Sequence, residues 1–331
     1  MAKRKILVTG GTGFVGRFLI QELLRDKSNT IIAMYNSNQP PDTFEDTASK
    51  LTWIKIDIVK DDLTDAVSGI DIIYHLAGYS SVSSSSSEVD LLNAINVTGT
   101  RRVSEASSSA KVKQLIFVSS VAACEVSTEL VIDEINGYPV TEYGLSKKCA
   151  EDLLIEGSIN SYELTILRPT ALFGENHEGS VLELVKKIQE RRFLIFGSGE
   201  SNTNFLYIRD FIDLLLLVKD DRRAYGQVFI ASDTPLHLST FVKYIVEALG
   251  FDFRIMKLPV VLGYIAALLF DIVSFVLQKP LPLSRRRLRA MLNQTIYTNR
   301  KVKSLMAINY KYGVKKGLLT SISYYRKHGM L

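Results

Sequence analysis

The chain has 331 residues, of which 47% are hydrophobic, enough for one large domain or two interlocked ones around a sizeable core. Forty Lys and Arg (40) against 35 Asp and Glu leave a net charge of +5, too weak and too scattered to imply a nucleic-acid partner. Two cysteines, Cys124 and Cys149, form no disulfide framework and suit a reducing compartment, and no metal centre is expected.

Lys3, Arg4 and Lys5 precede Ile6-Leu7-Val8, which runs straight into a glycine-rich turn. That apolar stretch is too short for a secretory signal, so it reads as a buried first strand of a cytoplasmic protein. Residues 6–8, 31–34, 54–56, 70–75, 115–119 and 164–167 read as buried strands, and residues 14–25, 88–107 and 143–155 as helices. Short apolar runs alternating with helices indicate an α/β fold with a doubly wound parallel sheet covered on both faces. Ligands on such sheets bind beyond the C-terminal ends of the strands. Gly10, Ala77, Gly78, Ser119 and Ser120 fall there. Residues 80–87, nearly all serine, read first as a solvated loop and second as a substrate-side flap.

Beyond Arg168-Pro169 the pattern is mixed. Residues 181–189, 210–219 and 239–249 read as helices with short strands between, a smaller α+β C-terminal substrate domain. The expected division is 1–170 for the Rossmann-type part and 171–331 for the substrate-binding part, with the chain free to cross back. Residues 258–277 are strongly apolar, interrupted by Asp271 and followed by Lys279 and Arg285-Arg286-Arg287. The length approaches a membrane span, but Asp271 inside it and Pro259 and Pro280 at its edges argue against crossing. A buried helical hairpin or pocket lid is the first reading. Peripheral contact of 258–289 with a membrane, arginines meeting anionic lipid, is the second.

Thr9-Gly10-Gly11-Thr12-Gly13-Phe14-Val15-Gly16 follows a strand and opens a helix. Gly10 permits a tight turn, Gly13 lets the backbone approach a pyrophosphate, and Gly16 lets helix and strand pack closely. The helix start, with Thr12, Phe14 and Val15, then offers amide donors and positive partial charge to a dinucleotide. An acid at the end of the second strand would bind the adenosine ribose hydroxyls and repel a 2′-phosphate. Here stands Met34-Tyr35-Asn36-Ser37, so the cofactor is NAD or NADP with a slight lean to NADP. Arg17 reads equally as help for a 2′-phosphate or as an exposed helix residue. Asp57-Ile58 ends the third strand, where a carboxylate can accept from the adenine amino group.

Tyr143 and Lys147 lie four residues apart on one helix face. A tyrosine titrates near pH 10, and a neighbouring cation lowers that value. Lys147 also suits the nicotinamide ribose, and Ser120 suits polarising the reacting oxygen. The three together read as hydride chemistry on an alcohol or carbonyl carbon.

These marks, with His75-Leu76-Ala77-Gly78, Asn96-Val97-Thr98-Gly99-Thr100, Val118-Ser119-Ser120, Arg168-Pro169-Thr170 and Phe205-Leu206-Tyr207-Ile208-Arg209-Asp210, resemble the extended short-chain dehydrogenase/reductase family, in its sugar-nucleotide epimerase, dehydratase and reductase branch. The resemblance spans residues 5 to about 326. It implies the Ser120, Tyr143, Lys147 triad and a tightly held NAD(P). It extends the cofactor site to Leu76, Ala77, Gly78, Asn96, Ser119, Arg168 and Pro169. It puts substrate contacts at Ser80, Ser120, Thr170, Phe196 and Arg209. A homodimer through the helices near 90–107 and 143–156 is also implied.

Two departures narrow the chemistry. The 4,6-dehydratases carry an Asp-Glu pair after the catalytic hydroxyl, and Val121-Ala122 stand here. Epimerases often carry an arginine before the Phe-x-Tyr-like strand, and Thr203-Asn204 stand here, leaving Arg168, Arg209 or Arg285-Arg286-Arg287 as substitutes. Phe196, in a segment similar to sugar-nucleotide members, reads equally as a base contact or as core. The leading expectation is a 4-keto reductase or 4-epimerase of a sugar, preferably nucleotide-linked. A 3β-hydroxysteroid-dehydrogenase-like enzyme on a lipid-like ring alcohol is the alternative raised by 258–277, and a non-catalytic nucleotide-binding scaffold is the third.

Overall fold

The computed structural model describes residues 4–41, 44, 50–80, 85–124, 131–132, 138–252, 255–277, 284–292 and 294–331. Half of the serine run, 81–84, and the segment with Lys279, Pro280 and Pro282 lie outside the described residues. The chain divides into two compact units. One comprises Met1–Thr170, Ile208–Ala231 and Thr298–Lys311, and the other Ala171–Tyr207, Ser232–Tyr297 and Tyr312–Leu331.

The first unit is built on strands β1 (Arg4–Thr9), β2 (Asn29–Tyr35), β3 (Leu51–Lys55), β4 (Ile72–His75), β5 (Gln114–Val118), β6 (Glu163–Pro169) and β7 (Gln227–Ala231). Their order in the sheet is β7-β6-β5-β4-β1-β2-β3, and every neighbouring pair is parallel. Ile6, Leu7 and Val8 of β1 are fully buried, as a central strand covered on both faces requires. Ile6 is in register with Ile31 on one side and Ile72 on the other. The strand order reverses between β1 and β4, the switch point at which open α/β sheets bind ligands. This is the doubly wound Rossmann-type sheet that the alternating pattern indicates.

Strand β7, Gln227-Val228-Phe229-Ile230-Ala231, falls where a short strand of the C-terminal region is expected, but it belongs to the large sheet. It returns to pair with β6, with Phe229, Ile230 and Ala231 fully buried.

Helix α1 (Phe14–Leu23) buries Leu19, Ile20 and Leu23. The expected helix over 88–107 is interrupted. A helix at Ser86–Leu92 passes into a π-helical stretch, Asn93–Gly99, before α2 (Thr100–Ser109). Helix α3 (Glu142–Ser158) starts at a Thr141 cap that accepts from the Gly144 amide at 3.0 Å, with Glu142 in the positive first turn.

The second unit is α+β. Strands Ala171–Phe173 and Phe205–Tyr207 pair in parallel. Its helices include α4 (Ser180–Gln189), α5 (Leu238–Leu249), α6 (Val260–Leu277), α7 (Arg285–Met291) and α8 (Gly313–Lys327). A side chain at Gly317 of α8 would strike the Tyr207 ring at 2.6 Å, so glycine there sets how closely α8 meets the strand. Tyr207 donates to Glu175 at 2.9 Å, and Tyr325 donates to the Gly174 carbonyl at 2.8 Å.

Residues 258–277 differ from the buried hairpin expected. Helix α6 packs on α7 with its small residues inward: Ala267 is fully buried, and Gly263 lies against Phe196 and Leu288. Leu262, Ile265, Leu268, Leu269 and Ile272 are exposed. Among the described residues no helix is long and apolar enough to cross a membrane.

Candidate active site

The glycine turn closes on itself. The Gly13 amide donates to the Gly10 carbonyl at 3.0 Å, and Gly11 donates to Met34 at 2.8 Å. Gly10 has φ +67°, and a side chain there would meet the Ala77 amide nitrogen at 2.8 Å. A side chain on Gly16 would collide with the Gly10 and Gly11 carbonyls. The turn therefore tolerates only hydrogen at both positions. Gly13 is the cap residue of α1 and brings no side-chain oxygen to the first helical amides, which stay available to an anion.

Beside the turn lies a cavity of about 350 Å³, lined by Gly10, Thr12, Gly13, Asn36, Asp57, Ile58, Leu76, Ala77 and Gly78, with Tyr79 and Ile95 among its further neighbours. Nine residues expected at the cofactor thus line one space. Phe14 and Val15 stand half-buried in the first turn of α1, and Gly16 is buried behind the glycine loop. Asp57 folds its carboxylate back onto the Val59 amide at 2.8 Å.

Buried polar groups behind the cavity form a chain whose proton positions follow from donor counting. Thr9 Oγ1 accepts from the Leu76 and Ala77 amides, each at 3.1 Å. Its own proton then goes to His75 Nδ1 at 2.8 Å, so Nε2 carries the ring proton and donates to Thr100 Oγ1 at 2.9 Å. Burial first, and then the charge of Lys147, push the His75 pKa down to about 3. A neutral imidazole stacked on Phe117 therefore holds the end of β4 against β1.

Asn96, turned inward by the π-helical stretch, accepts from the Tyr79 amide at 2.8 Å. It donates to the Tyr79 carbonyl and to Ser146 Oγ, both at 2.9 Å. A side chain on Gly78 would come within 3.2 Å of both Asn96 Oδ1 and Lys147 Nζ.

At the end of β5, Ser119 is buried, and its hydroxyl has no hydrogen-bond partner among the described residues. Ser120 Oγ accepts from the Ala122 amide at 3.2 Å and hydrogen-bonds the Tyr143 hydroxyl. The close approach has a backbone cause. A side chain on Gly144 would collide with the Ala122 carbonyl, so glycine lets the first turn of α3 rest on the turn after β5. Burial raises the Tyr143 pKa and the Ser120 hydrogen bond partly opposes it, so the phenol of the free protein is not lowered as the Lys147 argument expected.

Lys147 is buried, donates to the Val118 carbonyl at 3.0 Å and lies 4.7 Å over the Phe117 ring. Burial lowers its pKa to about 8, and Glu151, one turn on, pulls the other way.

Arg168 is paired with Glu151. Its guanidinium grips the Glu151 carboxylate with two hydrogen bonds, 2.9 and 2.6 Å, and both side chains are buried. Pro169 ends β6, and Thr170, buried, donates its amide to Ala231 at 3.0 Å. Arg209 lies over the Phe18 ring at 5.7 Å, and Ser80 is exposed. Phe196, in the second unit, packs with Ala267 and Leu288 as core. Asn204, where an epimerase arginine was sought nearby, donates to the Thr295 carbonyl at 2.9 Å.

Residues 6–231 match the model of the NAD dependent epimerase/dehydratase family. The chain belongs to that family. It is an NAD(P)-dependent enzyme, and the glycine cradle, the lined cavity and the unpartnered Ser119 hydroxyl all fit a dinucleotide. The chain is similar to the N-acetyl-alpha-D-glucosaminyl-diphospho-ditrans,octacis-undecaprenol 4-epimerase of Escherichia coli O157:H7, with 28% identity over 96% of this chain and 94% of that one. It is also similar to the UDP-glucose 4-epimerase of Vibrio cholerae, with 28% identity over 70% of this chain and 71% of that one. In fold it matches the UDP-glucuronic acid 4-epimerase of Bacillus cereus, solved in complex with NAD, at a TM-score of 0.77 and 20% identity over 98% and 99% of the two chains.

Two features of this family member escaped the sequence. Glu151, on the Lys147 face of α3, has an i+4 spacing from Lys147 as its signal in the sequence. The Thr9–His75–Thr100 chain joins residues 66 and 25 positions apart and had none.

Proposed function

We propose that this enzyme is a 4-epimerase or 4-keto reductase acting on a diphosphate-linked sugar, with Ser120, Tyr143 and Lys147 as its working residues. The observation that carries the reading is the Tyr143 hydroxyl hydrogen-bonded to Ser120 at the end of β5, with the buried Lys147 one turn further along α3. Val121-Ala122, which follow Ser120, hold no proton-transfer group, so elimination of water is not the reaction.

Bound NAD(P) supplies the hydride acceptor and donor. Tyr143 takes the proton of the sugar C4 hydroxyl when the alcohol is oxidised and returns one when the ketone is reduced. Ser120 donates to the same oxygen. Lys147, as a cation, stabilises the phenolate and suits the cofactor ribose. Gly10, Thr12, Gly13, Phe14, Val15 and Gly16 hold the diphosphate. Asn36, Asp57 and Ile58 face the adenosine end, and no acid at Asn36 repels a 2′-phosphate. Leu76, Ala77, Gly78, Asn96 and Ser119 complete the wall, and Pro169 and Thr170 end the neighbouring strand. Arg168 acts through Glu151 as a positioning residue.

A second reading of the carrier is favoured by α6 and by the Escherichia coli relative, whose name describes a sugar on a polyprenol diphosphate. In it the sugar of this enzyme also rides on a lipid diphosphate rather than a nucleotide. A homodimer through α2 and α3 fits Leu145, Ile155 and Ile159, which α3 and its end leave exposed.

The test is turnover on UDP- and dTDP-sugars, 4-keto-6-deoxy forms and a polyprenyl-diphosphate sugar, with the nucleotide released by heat denaturation identified in parallel. Retained NAD(H) with C4 inversion marks the epimerase, and consumption of added NADPH marks the reductase. No turnover on any of these sinks the reading.

A further inference from the structure

A helix on a water-facing surface turns its large apolar side chains inward, and α5 does so with Phe241, Val242 and Ile245 fully buried. Helix α6, in the same unit, is inverted. Its buried stripe is Gly263 and Ala267, one turn apart, resting on Phe196 and Leu288. Its large side chains look outward: Leu262 is 50% exposed, Ile265 52%, Leu269 56% and Ile272 55%. The exposed apolar side chains run from Val261 to Val273, a ridge of roughly 18 Å at 1.5 Å per residue. A continuous apolar ridge of that length is a contact surface, not scattered exposure.

Charge says what covers it. Between residues 255 and 294 the chain carries Lys257, Lys279, Arg285, Arg286, Arg287 and Arg289 against a single acid, Asp271. That acid is spent within the chain, 2.6 Å from Arg285 Nε. A second copy would bring the same positive segment with no free carboxylate to meet it. An anionic lipid surface offers both a negative charge and an apolar layer just beneath it. The stripe rests α6 on Phe196 and Leu288 of its own unit, and among the described residues no helix is long and apolar enough to cross a membrane.

We propose that α6 is a monotopic membrane face: its outer side chains enter the headgroup and acyl boundary of an anionic bilayer while the exposed Lys257 and Arg289 meet the lipid charge. The docking goes beyond the catalytic reading and stands whether or not the site handles sugars. With both in force, the enzyme sits where a lipid-carried diphosphate is presented.

The experiment is co-sedimentation of the full chain with phosphatidylcholine vesicles, with and without phosphatidylglycerol. Pelleting with the anionic vesicles, reversed by salt and weak on phosphatidylcholine alone, is expected. Leu268→Glu/Leu269→Glu lowers the partition on the order of a hundredfold, and Arg289→Gln about fivefold. Bound nucleotide and thermal unfolding of the variants stay at wild-type values. Should the double variant misfold, the salt titration of the wild type decides. Wild type left in the supernatant with both vesicles overturns the proposal, as does salt-insensitive binding equal on both. A dimer that ignores vesicles and dissociates in Leu268→Glu also overturns it, assigning the ridge to a second copy. Sugar turnover is read separately, so a failed substrate panel leaves the docking result intact.

Discussion

Around the ends of β4 and β5, polar side chains are buried. His75 spans Thr9 and Thr100, Asn96 spans Tyr79 and Ser146, and Lys147 reaches the Val118 carbonyl. On α6 the reverse holds, with glycine and alanine inside and leucine, isoleucine and valine outside. Both arrangements cost free energy in the isolated fold. A buried cation is poorly solvated, and an exposed apolar ridge orders water. Such departures from the ordinary rule concentrate where function compensates. The first region completes itself internally and offers what remains to a ligand. The second completes itself only against another surface.

The comparison breaks most visibly at Tyr143. Tyr143→Phe is expected to lower turnover by about 10²–10⁴-fold, with bound nucleotide and unfolding temperature unchanged. Wild-type turnover in that variant, measured with the substrate that the panel identifies, returns the chain to the scaffold reading.

The next largest effect lies beneath the site. Glu151→Gln removes the carboxylate charge beside the buried Arg168 cation and should cost about 3–5 kcal/mol in urea unfolding. Glu151→Leu combined with Arg168→Met should recover most of that loss. A small effect of the single variant means that water reaches the pair.

Lys147 sharpens the contrast through pH. Its folded pKa, about 8, lies below the ordinary value of 10.5. The unfolded chain therefore holds the proton where the folded one has released it, and stability rises with pH from about 8 to 10.5. Lys147→Met removes that burden and should stabilise the free protein at pH 7 by ~1–3 kcal/mol, while abolishing turnover. Denaturation curves across the window should show the advantage over wild type shrinking as pH rises. A constant gap counts against a buried titrating amine.

The smallest effect belongs to α6. Leu268→Gln should change unfolding free energy by no more than about 0.5 kcal/mol, whereas Leu115→Ala in β5 should cost about 2–5. A large loss at Leu268 would mean that the chain itself covers the ridge.

Much of this was legible before any fold was described. Repeated apolar runs of strand length, each followed by a helical pattern, indicate a parallel sheet because only strands covered on both faces are apolar throughout. Gly10, Gly13 and Gly16 identify the turn because their spacing answers a backbone requirement. Tyr143 and Lys147 share a face because a helix repeats every 3.6 residues. Contacts between distant segments were not legible. Phe196 reads equally as ligand contact or core, and only its neighbours Gly263 and Leu288 make it core. The pairing of Arg168 with Glu151 joins a strand to a helix and shows only in the fold.

The sequence by itself determined the α/β class, the glycine turn and the shared helix face of Tyr143 and Lys147, because these are local or periodic and follow from spacing. Only the tertiary structure decided which buried polar groups complete one another, that Gln227–Ala231 returns to close the sheet, and that α6 faces outward. Those outcomes depend on which surfaces meet, and burial is a property of neighbours that composition does not carry.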